Sequence, residues 1–138
     1  MPHAVVRFFR MMNREHNRAF QAAGVSAEQA HVLSVLWELG PLTIGDLQRL
    51  LALSSPTLTG AIDRMEKERL VKRVRSASDR RTVYVEPIDD PAMKRRIHKI
   101  IDDTERRCFA PLSAGERREL LRLITKAAGG LEGATISS

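Results

Sequence analysis

Residues 76–85 read SASDRRTVYV, in which one carboxylate, Asp79, stands against two adjacent arginines, Arg80 and Arg81. The cluster crowns a longer basic run. From residue 64 to residue 81 there are eight basic side chains (Arg64, Lys67, Arg69, Lys72, Arg73, Arg75, Arg80, Arg81) against three acidic ones (Glu66, Glu68, Asp79), a net of +5. The whole chain of 138 residues carries +6, with a pI near 10.2, so most of its excess charge sits in one short segment. Guanidinium and ammonium groups gathered in this way hold anions, nucleic acid first and a membrane surface second. The carboxylate among them serves differently. Two residues before Arg81 across a tight turn, Asp79 can accept hydrogen bonds from turn amides and pair with the guanidinium, setting that side chain's pose.

Residue patterns for covalent chemistry are missing from the sequence. It holds no G-x-S-x-G, P-loop, G-x-G-x-x-G or H-E-x-x-H motif, so no enzyme is expected. The four histidines, His3, His16, His31 and His98, show no i, i+4 pairing, and neither a metal site nor another cofactor is expected. Cys108 is the single cysteine, which excludes an internal disulfide and suits a reducing compartment. On the apolar face of a helix it is expected to be a buried, inert thiol. Arg7 and Arg10 interrupt the apolar N-terminus and no run of eighteen apolar residues occurs, so a cytoplasmic protein with no membrane partner is expected.

The elements that position the basic segment follow from periodicity and capping. Val5, Phe9, Met12, His16 and Phe20 recur at helical steps and predict a first helix over about residues 3–22, ended by Gly24. Ser26 to Gln29 has the form of a capping box opening a second helix that stops at Gly40-Pro41. Thr43 to Asp46 offers a weaker box for a short third helix, and Ser55 as N-cap before Pro56 predicts a fourth. After Leu70 the period changes to two, which predicts two strands joined by a turn around Ala77 to Arg81. Asp90-Pro91 opens a fifth helix, and Ser113 to Glu116 a sixth that ends at Gly129-Gly130. The fold class is mainly α with a small β-hairpin: a winged helix-turn-helix over 25–88, helices at 1–24 and 89–130 for a dimerisation layer, and a flexible tail over 131–138.

On the fourth helix Leu58, Ala61, Ile62 and Met65 share one side. Pro56, Thr59, Gly60, Asp63 and Lys67 share the other, flanked by Thr57 and Arg64. Such a face, small and polar near its N-terminus, can enter a major groove, while the helix N-terminus at Ser55 offers free N–H groups to a phosphate. An ordinary solvated face fits the same pattern. The basic hairpin that follows favours DNA.

Residues 42–85, LTIGDLQRLLALSSPTLTGAIDRMEKERLVKRVRSASDRRTVYV, resemble the DNA-binding core of the MarR (multiple antibiotic resistance regulator) family. Asp79-Arg80-Arg81 followed by Val85 matches the family's D-x-R-x-x-x-V wing signature, and Asp63 to Lys67 followed by Leu70-Val71 matches the end of its recognition helix. Two departures stand out: Pro87-Ile88 after the wing, and Gly60 where relatives often carry a larger residue, often arginine. The resemblance implies a sequence-specific regulator of double-stranded DNA, a homodimeric repressor on a pseudo-palindromic operator, released by a small aromatic or phenolic effector. It implies DNA contacts at Ser55, Pro56, Thr57, Thr59, Gly60, Arg64, Lys67, Arg73, Asp79, Arg80 and Arg81, with Arg81 in a minor groove and Arg73 and Arg80 at phosphates. Candidate effector residues by position are Met12, His16, His31 and Trp37. The rival class is a winged helix used as a protein-interaction module, its basic face meeting an acidic partner.

Overall fold

The computed structural model describes residues 1–136, with side chains to residue 132. The chain divides into two compact units, Met1–Asp102 and the part from Asp103 onward.

In the first unit, α1 (Pro2–Ala22) buries only the second half of its apolar stripe: His16 and Phe20 are inside, while Val5 and Phe9 are more than half exposed. Gly24, with φ +79°, ends it: its amide and that of Val25 donate back to Gln21 and Phe20. A positive φ at this place is what glycine supplies cheaply. The box at Ser26 forms with both arms at 3.1 Å and opens α2 (Ala27–Leu39). The Thr43–Asp46 box also has both arms and opens α3 (Ile44–Leu51). The threonine hydroxyl and its backbone amide hold the Asp46 carboxyl below its ordinary pKa.

α4 (Ser55–Lys67) starts one residue earlier than expected. Ser54, not Ser55, accepts the Thr57 amide (3.4 Å) and is the N-cap, which places Pro56 second in the helix. Either serine satisfies the chemistry, because proline fits anywhere in a first turn whose N–H groups lack intrahelical acceptors. The helix ends in a Schellman motif, with Arg69 N–H donating to Glu66 and Leu70 N–H to Met65. Arg69 there takes φ +60°, a conformation glycine adopts at lower cost.

The expected hairpin is a three-stranded antiparallel sheet of order β1-β3-β2, with β1 Leu42–Thr43, β2 Val71–Arg75 and β3 Val83–Pro87. β1 is the missed strand, two residues long; Leu42 pairs with Val85 and Thr43 with Tyr84. β2 meets β3 with Val71 opposite Pro87 and Arg73 opposite Val85. Phe20, Leu33, Leu36, Leu47, Leu58, Ile62, Met65, Val71, Val85 and Ile97 form one buried cluster beneath the helix-turn-helix and the sheet. Burial of this apolar surface, at about 25 cal/mol per Å², is what ties the elements together.

α5 (Pro91–Cys108) is capped by Asp90, which accepts the Met93 amide at 3.0 Å. In the second unit Cys108 is half-buried rather than fully buried. α6 (Ala114–Ile136) begins at the Ser113–Glu116 box and does not stop at Gly129-Gly130. Neither glycine turns to positive φ, and a glycine that stays helical only weakens a helix. Residues 131–136 of the expected tail are therefore helical, and 137–138 lie outside the described residues. Leu121, Leu123 and Ile124 on α6 are exposed. Among the described residues no helix is long and apolar enough to cross a membrane.

Candidate nucleic-acid interface

α3 and α4 form a helix-turn-helix whose second helix buries Leu58, Ala61, Ile62 and Met65 completely. The opposite side carries the expected polar set: Ser55, Pro56, Thr57, Arg64 and Lys67 are exposed, and Thr59 and Gly60 half-buried. The shifted cap matters here. Ser54 donates to the Thr57 hydroxyl at 2.8 Å as well as accepting the Thr57 amide, so Ser55 is released from capping and stands at the helix N-terminus beside open N–H groups.

Arg73 is placed otherwise than its sequence context indicated. It shares a strand face with buried Val71, so its side chain turns towards α4. There it donates through Nη2 to Asp63 Oδ1 at 2.8 Å and through Nη1 to Glu66. Partial burial opposes its charge, and the two carboxylates outweigh that and raise its pKa. The group fastens β2 to α4. Sequence reasoning missed the contact, although Asp63 and Glu66 at i, i+3 and the alternation Val71, Arg73 carried its signal.

At the far end of the sheet the turn from β2 to β3 closes through Ser76 N–H to Thr82 C=O at 2.9 Å. Asp79 accepts the Arg81 amide (3.0 Å) through Oδ1 and the Thr82 hydroxyl (3.1 Å) through Oδ2. The expected bonds to the turn are present. The expected pairing with the Arg81 guanidinium is not: the carboxylate is turned towards the backbone turn, and the guanidinium makes no ion pair among the described residues. Among the described residues the side chains of Arg64, Lys67, Arg75, Arg80 and Arg81 have no hydrogen bond or ion pair. Lys72 lies 3.7 Å from Glu86.

The four effector candidates do not gather into one site. His16 stacks on Phe20 (centroids 5.9 Å apart), and His31 meets both rings edge-on, at 5.6 Å and 6.1 Å. Burial first, then the neighbouring His16, lowers the pKa of His31. Met12 is half-buried on α1. Trp37 packs edge-on against His98 of α5 at 5.3 Å, with the Lys94 ammonium 6.0 Å from its ring centre. Ser34, Trp37, Glu38, Lys94 and His98 line an open cavity of about 320 Å³. Lys94 and His98, one helical turn apart on α5, were not among the sequence candidates. Among the described residues no group of three or more His, Cys, Asp or Glu side chains could hold a metal.

The MarR family model matches residues 25–83. The chain is 30% identical over 123 residues to the HTH-type transcriptional regulator MgrA of Staphylococcus aureus, covering 85% of this chain and 80% of that protein. Against two Bacillus subtilis regulators, at 34% and 42% identity, the aligned region spans 57% and 46% of their length, about half. In fold the chain is similar to a mutant E. coli MarR complexed with operator DNA (TM-score 0.81, 22% identity, 91% of each chain). It is likewise similar to Bordetella bronchiseptica BpsR, whose DNA binding is regulated by 6-hydroxynicotinic acid (TM-score 0.82, 22% identity, 92% of this chain and 97% of that one). With an aligned MgrA relative and a matched helix-turn-helix and wing, the chain belongs to the MarR family of winged helix-turn-helix transcriptional regulators, a non-enzymatic family.

Proposed function

We propose that this regulator is a homodimer that binds a pseudo-palindromic operator in double-stranded DNA by sequence, represses from it, and is released by a small aromatic or phenolic effector. One observation carries the DNA reading: five cationic side chains without internal partners flank the polar face of α4 and its wing, while the acids nearest them are already paired. α4 supplies groove contacts, Arg81 reaches a minor groove from the wing tip, and Arg80 and Lys67 meet phosphates.

Dimerisation is supported by the unburied apolar half of α1. Phe8, Phe9 and Met11 are exposed there, an apolar surface that a second copy of the chain would cover. In the second unit α6 exposes Leu121, Leu123 and Ile124, further apolar surface for a dimer contact. For the effector, the cavity beside Trp37 has the size of a small-ligand site and offers an aromatic wall, an ammonium and a histidine.

The test of the DNA reading is the salt dependence of binding to a labelled duplex. With Arg80 and Lys67 at phosphates and Arg64, Arg75 and Arg81 close by, the slope of log K against log [salt] should lie at about −2 to −4.5 per protomer; a slope near zero would contradict it. Sedimentation at micromolar concentration should give a dimer, and a monomer would remove the terminal helices from the mechanism.

A further inference from the structure

We propose that Arg64 is the base-reading side chain of α4, that it reads a guanine, and that Gly60 is the notch through which it works; this deepens the DNA-binding function above and rests on it.

Gly60 lies in the interior of a thirteen-residue helix. It is not at positive φ, so its conformational freedom is unused, and a Cβ built on it would meet nothing within 4 Å except Arg64 Nη1 at 3.5 Å. Neither turn nor core packing requires a glycine here, and a glycine inside a helix is less stable than an alanine. What the missing side chain changes is the outer surface. It leaves a bare stretch of backbone, and the Arg64 guanidinium, four residues on, lies over it. Side chains on a helix lean towards its N-terminus, so an arginine from the C-terminal half of α4 is carried back to the half that faces the groove.

The acids nearest Arg64 in sequence each bind another residue. Asp63 and Glu66 both accept Arg73, and Glu68, the i+4 neighbour, accepts Gln29 Nε2 at 3.1 Å. Arg64 is left exposed and unpartnered among the described residues. A free planar guanidinium fork on the groove side of a recognition helix matches the O6 and N7 acceptors of guanine, which it can bind with two parallel hydrogen bonds. A long side chain at position 60 would stand between the fork and the base.

The experiment is selection of bound sequences from a random duplex pool with the wild type, Arg64→Ala and Gly60→Leu, with Gly60→Ala as a folding control. The wild type is expected to enrich a guanine in each half-site and to bind the guanine-substituted duplex about 10- to 100-fold more weakly. Arg64→Ala and Gly60→Leu should lose that preference, binding the two duplexes within about twofold of each other while keeping salt-dependent affinity from the remaining cations. Gly60→Ala should raise the thermal midpoint by about 2 to 4 °C. A wild-type motif without guanine, or a guanine preference unchanged in Arg64→Ala, would overturn the role of Arg64 and leave the DNA reading standing. A wild type that enriches no sequence would overturn the DNA reading itself.

Discussion

The carboxylate of Asp79 accepts the backbone amide of Arg81 at 3.0 Å, while the Arg81 guanidinium has no partner among the described residues. The acid therefore fixes the path of the chain and leaves the positive charge free. Asp79→Ala should change unfolding free energy by less than about 1 kcal/mol, since the bonds it removes are exposed, yet weaken operator binding by roughly 1 kcal/mol. Asp79→Asn separates hydrogen bonding from charge. Its amide oxygen can still accept the Arg81 N–H, so its operator affinity should stay close to wild type, measured by fluorescence anisotropy. An asparagine variant as weak as the alanine one would show that the charge matters.

Arg81→Ala removes the free guanidinium at the wing tip. The expected loss is about 1 to 3 kcal/mol of operator affinity, the scale of one good groove contact, with no change in thermal unfolding. Unchanged affinity would take the wing tip out of DNA binding.

Arg73 offers a sharper test, because two carboxylates of α4 hold it. Arg73→Ala leaves Asp63 and Glu66 without their counter-ion and should cost about 1 kcal/mol of stability. Operator affinity should fall through misplacement of the wing, while the slope of log K against log [salt] stays unchanged. A phosphate contact would instead lower the slope by about 0.9.

Stability should also depend on His31. Its folded pKa lies below the ordinary value of 6.5, lowered by burial and then by His16, with Glu28 opposing. As pH falls below about 6.5 the unfolded chain takes up the proton first, so stability is full above that value and declines until the folded pKa is reached. Denaturant midpoints at pH 7.5 and 5.5 should differ in the wild type, and His31→Gln should reduce the difference. Equal differences in the two proteins would exclude His31 as a source of it.

Capping was the most legible level of this sequence. The boxes at Ser26, Thr43 and Ser113 involve groups three residues apart, so local chemistry determines them. The cap of α4 slipped by one residue because two adjacent serines before a proline are chemically equivalent choices. β1 was not legible: two residues carry no period, and Leu42 becomes a strand only through its pairing with Val85. The basic segment was visible as charge, but its division into tied and free cations was not. Arg73 and Arg81 look alike in sequence, and only the strand face beside Val71 and the turn-directed carboxylate of Asp79 tell them apart. Trp37 was found without its neighbours His98 and Lys94, which reach it from a helix distant in sequence.

Selection of bound sequences from a random duplex pool tests sequence-specific dimeric DNA binding most directly. A homodimer presenting α4 twice should enrich a pseudo-palindrome whose half-sites are about one helical turn, roughly 34 Å, apart. A pool that returns no motif, or equal binding of DNA and an unrelated polyanion, would contradict it and favour a basic face made for an acidic protein partner.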